Sequence, residues 1–124
     1  MELIIGGAYQ GKLTYAVKKH NLSQADLCDL NHGFPSGEYR CYYHFERLTR
    51  AAAAEGISSA ELVKAFLPHI KNSVVISREI GCGIVPTDRS ERLYRELHGE
   101  TIRLLAEAAD SVTRIFSGQP EVLK

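Results

Sequence analysis

The chain has 124 residues, 44% hydrophobic and 24% charged, the proportions of a globular domain and not of a disordered one. Fifteen basic residues offset fifteen acidic ones, so no net field recruits nucleic acid or an anionic membrane surface. Residues 1–124 read as one domain, with no repeat, low-complexity tract or linker. The apolar run Leu3–Ile5 is too short for a signal-peptide core and far too short to span a bilayer. Cys28, Cys41 and Cys82 are odd in number and form neither a CxxC pair nor a Cys/His cluster. Reduced thiols in the cytosol are therefore expected, with no metal held by protein ligands alone.

In chain order, Leu3-Ile4-Ile5 before Gly6-Gly7 has the form of a buried strand entering a tight turn. Lys12 to about His20 follows as a helix with Tyr15, Ala16 and Lys19 facing inward, and Ala25 to Leu30 is a weaker strand. Asn31 to Arg40, rich in Gly, Pro, Ser and Asn, reads as the mobile loop. Cys41-Tyr42-Tyr43 feeds a helix through about Glu55, ended by Gly56. Ser58 with Glu61 makes a capping box for a helix presenting Leu62, Phe66 and Ile70, which Pro68 interrupts. Val74-Val75-Ile76 is a second buried strand, and residues 81–86 must be loop. Asp88 with Glu91 caps a long helix on which Leu93, Leu97, Leu104 and Ala108 keep the helical period. Val112 to Phe116 is a third strand, stopped by Gly118 and Pro120. Strands alternating with helices predict a three-layer α/β fold with a mainly parallel sheet.

Gly6-Gly7-Ala8-Tyr9-Gln10-Gly11-Lys12 fits GxxxxGK between a strand and a helix, the context that gives this string its meaning. Glycines let backbone N–H groups converge on phosphate oxygens, the helix start adds partial positive charge, and Lys12 adds a full one. The plainer reading is a Gly-rich turn beside a surface lysine. One position departs from the motif. Leu13 stands where a Ser or Thr hydroxyl would ligate the magnesium of a bound nucleotide. Thr14 is one step on, rotated by roughly 100° about the helix, and cannot simply stand in. Phosphate binding should survive this better than metal-assisted catalysis.

Arg78 and Glu79 follow the second strand and should face the same crevice, since ligands of open α/β sheets sit beyond the carboxyl ends of the strands. Glu79 can accept a proton or hold magnesium through water, and Arg78 can contact phosphate; a strand-end salt bridge explains the pair equally well. Arg89, Arg92 and Arg95 spread over two helical turns as a solvated face, with Arg89 closest to the loop before the helix. His32 and His44 flank loops, where histidines are more often structural or solvated. Tyr42, Tyr43 and Phe45 read first as packing. Nothing marks Cys82 as a nucleophile.

The segment GGAYQGK, with VVISREIGCGIVPTDRSERLYRELHGETIRLLAEAADSVTRIFSG near the end, resembles the bifunctional adenosylcobinamide kinase/adenosylcobinamide-phosphate guanylyltransferase family. Positions matching its pattern include Gly6, Gly7, Gly11, Lys12, Glu79, Gly81, Gly83, Arg89, Arg92, Arg95, Ala109, Asp110 and Gly118. The resemblance lies in residues 1 to about 16 and 73 to 118, with no match seen in 17–72. It implies a P-loop NTPase-like (RecA/kinase-like) fold, ATP or GTP bound by Gly6 to Thr14 with Arg89, and catalysis by Lys12 and Glu79. The implied reaction is phosphoryl transfer to a corrinoid precursor. The family's second reaction passes through a guanylylated histidine whose segment has no counterpart here, and neither His32 nor His44 has its flanking sequence. Guanylyl transfer is accordingly not expected. Arg78 replaces the family's asparagine before Glu79. The alternative reading is a nucleotide- or phosphate-binding module without catalysis. Expected partners are the nucleotide and a corrinoid, with no nucleic acid and no membrane; a homo-oligomer stays open.

Overall fold

The computed structural model describes residues 1–80 and 87–124. Six strands form one sheet in the order β2-β3-β4-β1-β5-β6. They are β1 (Glu2–Gly6), β2 (Leu27–Asp29), β3 (Cys41–Tyr43), β4 (Val74–Arg78), β5 (Ser111–Phe116) and β6 (Gln119–Val122). The first five run parallel and β6 antiparallel to β5. Four helices cover the sheet: α1 (Lys12–His20), α2 (Phe45–Ala54), α3 (Ser59–Phe66) and α4 (Arg89–Ala108). This is the three-layer α/β fold with a mainly parallel sheet that strand–helix alternation predicts.

Successive residues of β1 go to opposite layers, because side chains alternate along a strand. Leu3, with Val75 and Val112, packs beneath Phe45, Phe66 and Leu105 of α2, α3 and α4. Ile4, with Ile76 and Ile115, packs against Ala16 of α1. Each such apolar side chain, fully buried, contributes roughly 1.5–3 kcal/mol. Capping sets where two helices start: Ser58 Oγ accepts from Glu61 N–H at 3.2 Å, and Asp88 Oδ1 from Ser90 N–H at 2.7 Å. Leu62, Phe66 and Ile70 are all buried, and a short 3-10 turn at Leu67–His69 absorbs Pro68.

Three local expectations need correction. The strand expected over Ala25–Leu30 shrinks to Leu27–Asp29, because Gln24–Asp26 and Leu30–His32 curl into 3-10 turns under the side chains of Ser23 and Asp29. Gly118 and Pro120 do not end the sheet. Ser117 (φ 49°) and Gly118 (φ 75°) make a two-residue turn into β6, where Pro120 is tolerated on an edge strand. The buried stripe of α4 is Tyr94, His98, Thr101 and Leu105, while Leu93 is exposed. The stripe is one residue out of phase with the leucines because its polar members find partners: Tyr94 Oη donates to Glu46 O at 3.0 Å, and His98 meets Thr49.

The Asn31–Arg40 segment is tied back by Tyr42, whose hydroxyl accepts from Tyr39 N–H at 3.0 Å and donates to His69 O at 3.0 Å. Cys41 is buried, and desolvation pushes its thiol up to about 12, so it is inert at neutral pH. Cys82 and the rest of the 81–86 loop lie outside the described residues.

Candidate phosphate site

β1 delivers the chain to the carboxyl edge of the sheet at Gly6. A Cβ there would sit 2.6 Å from the Ile115 carbonyl oxygen, so only glycine lets β1 lie this close to β5. Tyr9 (φ 61°) and Gly11 (φ 89°) then take left-handed conformations that reverse the chain into α1. No side chain caps α1, and its first turn carries no acid, so its amino end keeps its partial positive charge. Lys12 folds back over the loop, Nζ donating to Gly7 O at 2.6 Å. Burial holds the ammonium below its ordinary pKa, with Glu46 and Glu79 pulling the other way and Arg78 adding to the depression.

The turn between β5 and β6 grips this loop from the side. Gly118 N–H donates to Gln10 O at 2.9 Å, and Ser117 N–H donates to the Gln10 side-chain oxygen. Gln10 thus serves as a strut, and a Gly118 Cα lies 3.7 Å from where a Gly11 side chain would begin.

In front of the loop lies a crevice of about 340 Å³ lined by Ala8, Tyr9, Gly11–Thr14, Tyr43, His44, Glu46, Arg47, Ile76 and Arg78. Leu13 is half-buried, resting on the Ile4–Ala16–Ile76 cluster while bordering the crevice; Thr14 is exposed. Arg78 borders this crevice, whereas Glu79 borders an adjoining cavity behind it. Glu79 Oε2 lies 3.3 Å from Arg114 Nε, and its N–H donates to Gly6 O at 2.7 Å, which ties β4 to the glycine-rich loop. Arg89 opens α4 exposed to solvent and lines neither cavity. His32 is exposed, 4.0 Å from Asp29.

Besides Arg47, which lines the crevice, three residues take part that the sequence did not single out for the site. Glu46, in the first turn of α2, is buried and accepts from Arg78 N–H at 2.9 Å. Asp29 accepts from His44 Nδ1 at 2.8 Å and from Asn31 N–H at 2.9 Å. Burial acts to raise the Asp29 carboxyl, but these two bonds outweigh it and hold it below the usual range. His44 itself has φ 63° and borders the crevice. His98, under the end of β4, has Nδ1 2.8 Å from Thr49 Oγ1 and Nε2 3.2 Å from Arg78 O. Burial pulls its pKa down to about 4, so it is a neutral brace joining α4, α2 and β4. Such contacts between distant segments leave no local signature, although a histidine in phase with Tyr94 and Leu105 is a hint.

Leu13 offers no side-chain oxygen to a magnesium ion, Glu79 is paired with Arg114, and one oxygen of Glu46 accepts the Arg78 backbone donor. Among the described residues no group of three or more His, Cys, Asp or Glu could hold a metal. No helix of the described residues is long and apolar enough to cross a membrane.

A mainly parallel sheet clad on both faces, with a Gly-rich strand-to-helix turn at its carboxyl edge, defines a three-layer P-loop NTPase-like α/β protein. The chain belongs to the cobinamide kinase/cobinamide phosphate guanyltransferase family, whose sequence model matches residues 44–123. That match takes in 44–72, where the sequence showed no resemblance, and leaves Gly6–Lys12 outside it. The chain is also similar to the bifunctional adenosylcobalamin biosynthesis protein CobU of Salmonella typhimurium (strain LT2), 42% identical over 45 residues. Those residues are 36% of this chain and a quarter (25%) of that protein's length.

Proposed function

We propose that the Gly6–Thr14 loop binds the phosphates of ATP or GTP and that the chain transfers a phosphoryl group to a corrinoid precursor in cobalamin biosynthesis. The observation that carries this reading is the uncapped amino end of α1 behind a glycine turn, with the Lys12 ammonium folded over it. Backbone N–H groups would take the phosphate oxygens, and Lys12 would exchange Gly7 O for phosphate. Arg78 and Arg47 border the same crevice and would neutralise charge building on the transferring group. Glu79, tied to Arg114, would steady the end of β4 beside the loop, and His44 would accept the acceptor's proton at Nε2. Family membership supports the corrinoid as acceptor.

Leu13 favours a second reading, a nucleotide- or phosphate-binding module with little turnover. Its apolar branch borders the crevice where a metal-bound water would sit. Loss of one such ligand, at about 4 kcal/mol, would slow transfer roughly a thousandfold.

Calorimetric titration of ATP and GTP into the wild type and Lys12→Ala tests the part common to both readings. Affinity should fall at least tenfold, about 1.4 kcal/mol. Equal affinity in the two proteins would remove the phosphate-loop reading, and transfer to adenosylcobinamide would then decide between enzyme and binder.

A further inference from the structure

Behind the phosphate crevice lies a second cavity of about 330 Å³. The two share Glu46, Arg47 and Arg78, so these residues form the seam between them. Most charged groups around the second cavity are already engaged. Arg50 holds Glu91 through two contacts of 2.7 and 3.3 Å and stacks 4.0 Å above the Tyr94 ring. Glu79 pairs with Arg114, and Glu46 accepts from the Arg78 backbone.

The guanidinium groups of Arg47 and Arg78 are different: among the described residues neither makes a hydrogen bond or ion pair with a carboxylate. They come from two elements, the first turn of α2 and the last residue of β4, yet converge on one seam. Arg78 is near enough to Lys12 to depress its pKa. An isolated arginine on a helix face is simply solvated. Two from different elements, facing a polar cleft beside a lysine, gather three cations around the single carboxylate of Glu46 at the seam. Guanidinium forks match tetrahedral oxyanions with paired, charge-assisted bonds, and a doubly charged phosphate suits two of them.

We propose that Arg47 and Arg78 form a second phosphate subsite, which receives a phosphomonoester group next to the phosphates held by Lys12. The proposal deepens the reading of the crevice as a nucleotide site and rests on it. The phosphomonoester has two sources: a phosphate carried in on the acceptor, or the group newly transferred from the nucleotide. Either places the acceptor in the second cavity, across the seam from α1.

The test is a titration with inorganic phosphate at constant ionic strength, into the full chain saturated with ADP or with the non-hydrolysable analogue AMP-PNP. With ADP bound, phosphate should bind with a Kd below about 10 mM. Arg47→Gln/Arg78→Gln should weaken that binding at least tenfold while its circular dichroism and melting temperature stay those of the wild type. Each single variant alters one exposed side chain and serves if the double variant does not fold. Binding that persists with AMP-PNP assigns the subsite to a phosphate on the acceptor; binding that AMP-PNP abolishes assigns it to the transferred group. Should neither nucleotide bind, the nucleotide reading fails by itself. Phosphate titrated into the free protein then still tests the pair, since Lys12→Ala should retain phosphate binding and the arginine variants should lose it. Equal phosphate affinity in wild type and arginine variants, or no binding by the wild type in any arm, overturns the proposal.

Discussion

Two buried glutamates sit at opposite ends of the same sheet, and their surroundings differ sharply. At the amino end Glu2 receives Lys19 Nζ at 2.7 Å, His20 Nε2 at 2.6 Å and the Thr113 hydroxyl at 3.3 Å. Burial acts to raise its carboxyl, but Lys19 and His20 outweigh that and hold it below the usual range. The neighbouring cation, Arg40, is likewise engaged, with Asp26 at 3.2 Å and His20 O at 2.8 Å. At the carboxyl end Glu46 accepts one backbone donor, while Arg47, Arg78 and Lys12 around it have, among the described residues, no carboxylate within ion-pairing distance. The amino end is electrostatically closed, whereas the carboxyl end pairs Arg114 with Glu79 and Arg50 with Glu91 but leaves these three cations open. Charges paired with one another hold a fold; converging charges without such partners suit the anionic ligand proposed for this site.

The comparison can be sharpened first at His98, the neutral brace beneath the open end. Its folded pKa of about 4 lies below the ordinary 6.5. Between these values the unfolded chain takes up a proton that the folded one refuses, so stability rises with pH across the window. It is fully present above 6.5 and is lost as pH falls toward 4, by roughly 3 kcal/mol. Urea unfolding at steps from pH 7 to 4 should show this slope, and His98→Gln should flatten it. An unchanged slope would mean that other groups carry it.

Removing the two glutamates' charges should separate the ends next. Glu2→Gln leaves Lys19 and His20 without their carboxylate and should destabilise by about 2 kcal/mol, with nucleotide affinity unaltered. Glu46→Gln keeps a carbonyl for Arg78 N–H and should cost under about 1 kcal/mol, yet strengthen triphosphate binding severalfold by removing a negative charge from the crevice. Denaturation midpoints and titrations on both variants check the pair. If Glu46→Gln proves the more destabilising, the open-end reading is wrong.

Apolar runs and local caps made most of this fold legible. Leu3–Ile5, Val74–Ile76 and Val112–Phe116 are short, apolar and bounded by polar or glycine residues, and all three are central strands. Ser58 and Asp88 announce α3 and α4 because a cap acts within four residues. What escaped depends on distant partners. Tyr94 and His98 turn inward only because Glu46 O and Thr49 wait on α2. Gly118 and Pro120 look like a stop, and only the pairing of Phe116 with Gln119 reveals a hairpin. At the site, the glycine turn and Lys12 are visible as a string, whereas Glu46, Asp29 and the Gln10 strut require strands far apart in sequence to be placed side by side.

A modest effect on stability is also expected at Leu13, where the open end departs from its own motif. Leu13 is half-buried on the sheet yet borders the crevice, so it belongs to both the closed core and the open site. Leu13→Ser removes apolar contact with the Ile4–Ile76 cluster and should destabilise by about 1 kcal/mol, less than a fully buried leucine because only part of the side chain is packed. In exchange it puts a hydroxyl beside Lys12, where a metal on a bound triphosphate can reach it. Wild-type affinity for ATP or GTP should therefore change less than about threefold on adding magnesium, and that of Leu13→Ser by at least tenfold, about 1.4 kcal/mol. Turnover should rise in the variant only if Arg78, His44 and the acceptor side are otherwise competent, so binding and rate are to be measured on the same samples. Strong magnesium coupling in the unaltered protein would mean that Thr14, Glu46 or Glu79 reaches the metal, and that the open end carries a ligand set which Leu13 does not interrupt.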